Sequence, residues 1–132
     1  MKRLSLSDDG HCFACGSRNP GGLRLVFRSE GGRQVAEFVP LKSHQGFKDI
    51  VHGGIITTVL DEAMMKAALC RGIAAVTAEI TVRFRQPLHV GDRSVIEAEI
   101  IKTGKRLIEA TARITAGSGV IAEAAAKLIR NG

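Results

Sequence analysis

The sequence has no tryptophan and no tyrosine, and phenylalanine supplies just five aromatic side chains among 132 residues. Its basic residues are scattered instead of forming an arm, and it contains no helix-turn-helix, zinc-finger or RNA-binding signature. These absences count against nucleic acid as the partner of a chain with a net charge of +6. A small molecule that carries phosphate groups explains the basic charge equally well.

Long apolar runs and a disulfide framework are also missing. No stretch of about 18 uninterrupted apolar residues occurs, which predicts that no segment spans a membrane. Residues 1–10 have no apolar core of the kind that signal peptides contain, and this argues against secretion. The three cysteines, an odd number without framework spacing, argue against disulfides; they are Cys12, Cys15 and Cys70. We therefore predict a protein of the reducing cytoplasm.

The length fits one domain, residues 1–132, which opens with a loop-like segment over residues 1–22. Helical and alternating hydrophobic periods then predict one long helix and six strands. The Gly117-Ser118-Gly119 sequence predicts the last turn. In order, the predicted elements are strands over 23–28 and 34–39, a helix over about 53–71, and strands over 76–85, 94–102, 105–115 and 120–130.

The order β-β-α-β-β-β-β predicts an α+β fold in which an antiparallel sheet wraps around the one long helix. Apolar residues cover nearly every side of this helix, which predicts burial almost all round and a buried thiol at Cys70. In the strand that follows, simple alternation places Val76, Ala78 and Ile80 on one face and Thr77 on the other.

The start of the helix carries the first candidate for chemistry, the pair Gly53-Gly54 after His52. Unpaired N–H groups at a helix start attract negative charge, and glycine lets a ligand approach the backbone closely. A need for tight packing at the helix start would explain the glycines equally well.

The second candidate is Asp61, which lies in a nearly apolar helix. Its carboxylate must be paired with another group, exposed to solvent, or used in binding or catalysis. Glu62 points about 100° away and can pair with Lys66, so we interpret it as a surface charge. At 100° per residue, Asp61 shares its face with Gly54, Thr57, Thr58, Met65 and Ala68.

The spacing of the two candidates adds a constraint. Gly53 and Asp61 are eight residues apart, or about 12 Å along the helix axis. They cannot both touch one reacting carbonyl from the same chain. If both serve one site, they come from different subunits, and a two-fold dimer then holds two identical sites across its interface.

The sequence His52-Gly53-Gly54, with Asp61 nine residues after the histidine, resembles the HGG signature of the PaaI-like hotdog thioesterases. The segment from Thr77 to Pro87 is similar to the strand that follows in this family. The opening, Cys12-Phe13-Ala14-Cys15-Gly16 and then residues 19–23, resembles that of many members. The likeness spans almost the whole chain, and the order of elements agrees with a hotdog fold.

This resemblance implies a role for each matching residue. Asp61 would attack the thioester carbonyl or activate water. The N–H of Gly53, or of Gly54, would stabilise the oxyanion, His52 would orient the turn or assist the carbonyl, and Thr77 would position water. Arg83 and Arg85 would meet the phosphates of CoA. The other substrate-binding candidates are Gly54, Thr57, Thr58 and Met65.

The implied function is hydrolysis of an acyl-CoA thioester, with no cofactor beyond the CoA of the substrate. The expected assembly is a homodimer, and a homotetramer built as a dimer of dimers is compatible with it. A non-catalytic acyl-CoA-binding module is the alternative, although no attached DNA-binding domain is visible. A hydroxyacyl thioester dehydratase is less favoured, because its arrangement of histidine and acid is not found.

The N-terminal cysteines leave a further question open. Cys12 and Cys15 supply two metal ligands, and a structural zinc site normally needs four. His11 and the distant His44 are the candidates to complete a set, but we favour a packing or capping role and predict no metal. A thioredoxin-type role is less favoured still, because the pair lies in a loop.

Overall fold

The computed structural model describes residues 2–117 and 119–132, and in it one helix packs against a six-stranded antiparallel sheet. The strand order is β1-β2-β4-β5-β6-β3. The predicted fold class and order of elements are confirmed. The elements are β1 (Arg28–Glu30), β2 (Arg33–Phe38), a 3-10 turn (Lys42–His44), α1 (Gly53–Cys70), β3 (Ala75–Phe84), β4 (Ser94–Thr103), β5 (Leu107–Ala116) and β6 (Gly119–Arg130).

Helix α1 is buried along one stripe, so the prediction of burial almost all round is wrong. The buried residues are spaced by three and four, which places them on one face of a 3.6-residue helix. A single sheet covers only that face, and the opposite side stays half-buried or exposed, including the exposed Cys70 that we had predicted to be buried. The buried residues are Ile56, Val59, Leu60, Ala63, Met64, Ala67 and Ala68.

The first hairpin differs from the prediction at its beginning. Residues 23–27 are not part of β1, because their backbone bonds to the N-terminal loop: Leu23 N–H donates to Phe13 O and Leu25 N–H to Ala14 O. The turn between β1 and β2 is at Gly31 and Gly32, whose φ angles of 55° and 80° favour glycine. The predicted turn at Gly117-Ser118-Gly119 contains Ser118, which lies outside the described residues.

Strand β3 contains a β-bulge that reverses the predicted alternation of its side chains. Its pairing register with β6 shifts between Thr77 and Glu79, so Ala78 is an additional residue. Because of this residue, Thr77 faces the same side of the sheet as Ile80, which packs against the core. The prediction that Val76, Ala78 and Ile80 share one face is therefore wrong.

Strand β3 also forms one edge of the sheet. It pairs with β6 along one side, and no other described strand lies along its second side. A ten-residue edge strand presents a row of backbone N–H and C=O groups that another chain can pair with. Within the described part of the chain, no helix is long and apolar enough to cross a membrane.

Candidate active site

Helix α1 begins at an imidazole cap. His52 is the N-cap residue, and its Nδ1 accepts a hydrogen bond of 2.8 Å from the N–H of Gly54. The backbone N–H of His52 donates to the carbonyl oxygen of His44 at 2.9 Å, which fixes the chain as it enters the helix. Because Nδ1 is an acceptor here, the neutral ring carries its proton on Nε2, and this atom remains available as a donor.

The two glycines at the helix start have different surroundings. The N–H of Gly54 is engaged by His52, whereas the N–H of Gly53 has no partner among the described residues. A methyl group on Gly54 would lie 3.0 Å from Nδ1 of His52, but one on Gly53 would meet the ring of Phe84 at an ordinary 3.6 Å. Of the two, Gly53 is therefore the residue whose N–H is open to a ligand oxygen.

Asp61 is half-buried on α1 and is held by the first part of β3. Its Oδ1 accepts a hydrogen bond of 2.7 Å from the hydroxyl of Thr77. Its Oδ2 has no hydrogen-bond partner among the described residues, which leaves this atom free for a substrate or a water molecule. The bulge at Ala78 makes the contact geometrically possible, because it turns Thr77 toward the helix.

The remaining candidates on α1 are engaged in the helix or in its packing. The hydroxyls of Thr57 and Thr58 donate to the carbonyl oxygens of Gly53 and Gly54 at 3.0 and 2.8 Å. Met65 is half-buried and packs against the core. Thr58 and Gly54 also line a shallow groove at the helix start, together with Ser43, His44, Gln45, His52 and Ile55.

The structure brings the predicted residues together as two separate groups. Asp61 lies with Thr77 near the beginning of β3, whereas Gly53 lies beside Phe84 at its end. Along α1 the two groups are about 12 Å apart, as the sequence spacing requires. Within one chain the two groups therefore stay apart.

The two arginines lie elsewhere. Arg83 is opposite Glu123 of β6 in the strand register, and Nε of Arg85 lies 3.3 Å from Oε1 of that glutamate. Both arginines are exposed. The cleft that Arg83 lines is on the sheet face away from Thr77, among paired charges that include Arg33, Glu97, Glu99 and Arg113. Within one chain, Arg83 and Arg85 are not brought together with Asp61.

Sequence reasoning missed a second cluster, at Glu62. We interpreted this carboxylate as a surface charge that can pair with Lys66, but it is half-buried and accepts a hydrogen bond of 3.7 Å from the thiol of Cys12. Cys15 lies beside both groups. Its burial, and next the negative charge of Glu62, raise the pKa of the Cys15 thiol to about 12. No local pattern could reveal a contact between residues 50 positions apart.

The histidines considered as metal ligands are not part of that cluster. His11 turns toward Asp9, with Nδ1 3.4 Å from a carboxylate oxygen. His44 is buried against Phe38, and its Nδ1 accepts a hydrogen bond of 3.0 Å from the N–H of Leu41. Burial lowers the pKa of His44 below its usual value, which favours the neutral ring that this hydrogen bond requires.

Residues 48–123 match the family model described as "Thioesterase superfamily", and the chain belongs to that superfamily. Acyl-coenzyme A thioesterase 13 of Mus musculus is 29% identical over 110 residues, which cover 70% of this chain and 79% of that protein. The Homo sapiens protein of the same name is 29% identical over 89 residues, which cover 66% of this chain and 63% of that protein. The chain thus spans less than two thirds of the human relative.

Solved structures of the superfamily have the same fold. A thioesterase superfamily protein has a TM-score of 0.86 at 20% identity, covering 91% of this chain and 60% of its own. A hypothetical thioesterase of Streptococcus pneumoniae, crystallised with coenzyme A, has a TM-score of 0.77 at 18% identity. The match covers 82% of this chain and 86% of that protein. A mutant of the phenylacetic acid degradation protein PaaI from Thermus thermophilus has a TM-score of 0.75 at 21% identity. The match covers 82% of this chain and 94% of that protein. The PaaI-like hotdog fold and the enzyme class that the resemblance implied are confirmed.

Proposed function

We propose that this protein hydrolyses an acyl-CoA thioester to the free acid and CoA. The observation that carries the proposal is the Asp61 carboxylate, which is fixed through Oδ1 by the Thr77 hydroxyl and has Oδ2 open. Two comparisons support CoA as the leaving group: the relatives are named acyl-coenzyme A thioesterase, and a structural neighbour was solved with coenzyme A. Cytoplasm is the proposed location, and three unpaired cysteines are consistent with it.

The reaction needs an oxygen nucleophile at the thioester carbonyl. As a general base, Oδ2 of Asp61 takes a proton from water, the resulting hydroxide adds to the carbonyl carbon, and the CoA thiolate leaves and is protonated. As a nucleophile, Asp61 itself displaces the thiolate to form a mixed anhydride, which water then hydrolyses. In a single turnover in ¹⁸O-water, label in the Asp61 carboxylate would establish the covalent route, because the general-base route adds the water oxygen to the acyl product alone.

The N–H of Gly53 is the proposed oxyanion donor. It is unpaired among the described residues and lies at the positive end of the α1 dipole. A donor of this kind acts on the charge that develops on the carbonyl oxygen, so its effect falls mainly on kcat. The Nε2–H of His52 is a second candidate donor at the start of α1, and the His52 ring also holds the glycine turn.

A homodimer would bring the two groups of residues together. Thr77 and Phe84 mark the two ends of the exposed edge of β3, with Asp61 at the first and Gly53 at the second. If two β3 strands pair antiparallel about their middle, Thr77 lies beside the partner subunit's Phe84. Asp61 then approaches Gly53 of the partner subunit, and the two-fold axis creates two such sites. A dimer of dimers is compatible with this arrangement.

A mixed dimer tests whether each site is shared. We propose to co-express Asp61→Asn and Gly53→Pro chains with different tags and to purify the mixed dimer through both tags. One of its two sites then has Asp61 and Gly53 intact, so about half of the wild-type activity should return, although each parent dimer is inactive. A mixed dimer as inactive as its parents would show that one chain supplies both residues.

The function itself is tested by thiol release from acyl-CoAs of varied chain length and aromaticity, with Asp61→Asn as the control. Release that is lost in the variant supports the proposal, and the preferred acyl group defines the substrate class. Tight binding of acyl-CoA without release on any substrate would instead indicate a binding module. An enoyl product without free thiol would indicate a dehydratase.

A further inference from the structure

The N-terminal segment forms a tight loop around its first cysteine. The N–H of Gly16 donates to the carbonyl oxygen of Cys12 at 2.8 Å. A Cβ on Gly16 would lie 2.4 Å from the backbone N of Cys12, so no side chain fits at this position. Backbone hydrogen bonds from Arg18 to Gly10 and from Leu23 to Phe13 close the loop on both sides. The loop thus returns on itself with both cysteines of the Cys-x-x-Cys pair on it.

The loop presents its two thiols to helix α1. The Sγ atoms of Cys12 and Cys15 and a carboxylate oxygen of Glu62 all lie within 4.8 Å of one another. All three residues are half-buried. Two thiols and a carboxylate at this spacing can surround one cation, with the remaining coordination position open to water.

We propose that Cys12, Cys15 and Glu62 bind one zinc ion, which fastens the N-terminal loop to helix α1. Thiolate ligands exclude hard cations such as magnesium and calcium, which take oxygen ligands. Zinc accepts both sulfur and carboxylate oxygen and is commonly tetrahedral. A water molecule fills the fourth position, so the site differs from a closed structural site with four protein ligands.

The charges around the cluster fit a bound divalent cation. Two thiolates and one carboxylate carry three negative charges, and zinc together with the neighbouring Lys66 supplies three positive ones. Metal binding displaces the thiol protons, so the bound ion completes the charge balance of the site.

The position of the site suggests what it does. Glu62 belongs to the segment that matches the superfamily model, residues 48–123, whereas Cys12 and Cys15 precede that segment. The zinc ion would therefore join the N-terminal loop to the part of the chain that matches the superfamily model. It would do so one residue from Asp61, so that the loop is anchored close to the proposed catalytic carboxylate.

Cobalt substitution tests the site directly on the reduced protein. Titration with Co²⁺ should give thiolate-to-metal charge transfer and the visible bands of tetrahedral cobalt at one equivalent per chain, and Zn²⁺ should displace them. Cys15→Ser and Glu62→Gln should weaken Zn²⁺ binding more than about 100-fold, since loss of outer-shell partners alone costs 10- to 100-fold. Affinity is read by competition with a chromophoric chelator.

Cys70→Ser is the matched control, because Cys70 is exposed and lies outside the cluster. It should bind zinc as the wild type does. Zinc should raise the Tm of the wild type and of Cys70→Ser but not of Glu62→Gln, which keeps the size of the side chain and should fold. Absence of the cobalt bands, or zinc affinity that is unchanged in Glu62→Gln and Cys15→Ser, would overturn the proposal whether or not thioesterase activity is found.

Discussion

The hydroxyl of Thr77 on β3 donates a 2.7 Å hydrogen bond to Oδ1 of Asp61 on α1. The contact depends on the β-bulge at Ala78, without which the alternation of the strand would turn Thr77 to the opposite face of the sheet. It fixes one oxygen of the carboxylate and leaves the other free. Thr77 is thus a positioning residue for the carboxylate on which the proposed reaction depends.

Thr77→Val should lower kcat by about 10- to 100-fold with little change in KM, because a hydrogen bond to a charged group contributes about 1.5–3 kcal/mol. Valine keeps the shape of threonine but cannot donate. Thr77→Ser restores the hydroxyl and should keep most of the activity. Steady-state thiol release from the best acyl-CoA measures both variants, and wild-type kcat in Thr77→Val would contradict the role assigned to this bond.

Asp61→Asn should lower kcat by at least about 100-fold, the lower range of what a positioned base contributes. The amide oxygen can still accept the Thr77 hydrogen bond, so the variant should keep its fold and its Tm. Glu37→Gln, which changes one exposed carboxylate on β2, is the control and should keep its activity. Substantial turnover by folded Asp61→Asn would exclude Asp61 as nucleophile or base.

Gly53→Pro should remove the proposed oxyanion donor without disturbing the helix. Gly53 is the first residue of α1, where proline is well tolerated, and His52 has the extended backbone that a following proline favours. We expect kcat to fall about 100- to 1000-fold. Gly53→Ala keeps the N–H and should retain most of the activity; equal kcat in the two variants would show that this N–H takes no part in catalysis.

His52→Ala should destabilise the protein by about 1 kcal/mol, because the N-cap of α1 loses its side-chain acceptor. His52→Asn should keep most of the stability, since asparagine is a good N-cap residue. Chemical denaturation gives the free energy of unfolding for each. Equal stability of the two variants would mean that the imidazole does not act as a cap.

Acidification should destabilise the protein through His44. Its pKa is lowered by burial in the folded state, so the unfolded chain binds the proton more tightly. This contribution to stability is complete above the unfolded pKa of about 6.5 and declines as the pH falls toward the folded value. His44→Asn, which can still accept from Leu41 N–H, should flatten the dependence of unfolding free energy on pH between about 7.5 and 5.5.

The sequence by itself determined the order of the elements, the helix that starts at Gly53, and the spacing that keeps Gly53 and Asp61 apart. These properties follow from local periods, glycine at turns and the rise of a helix, which depend on neighbouring residues.

Tertiary packing decided the rest. The bulge that turns Thr77 toward Asp61 arises from the register between β3 and β6, and the sheet covers just one side of α1. Glu62 meets Cys12 because a loop 50 residues away folds onto the helix. None of these contacts leaves a periodic trace in the sequence, because each is fixed by how distant segments meet and not by the residues beside it.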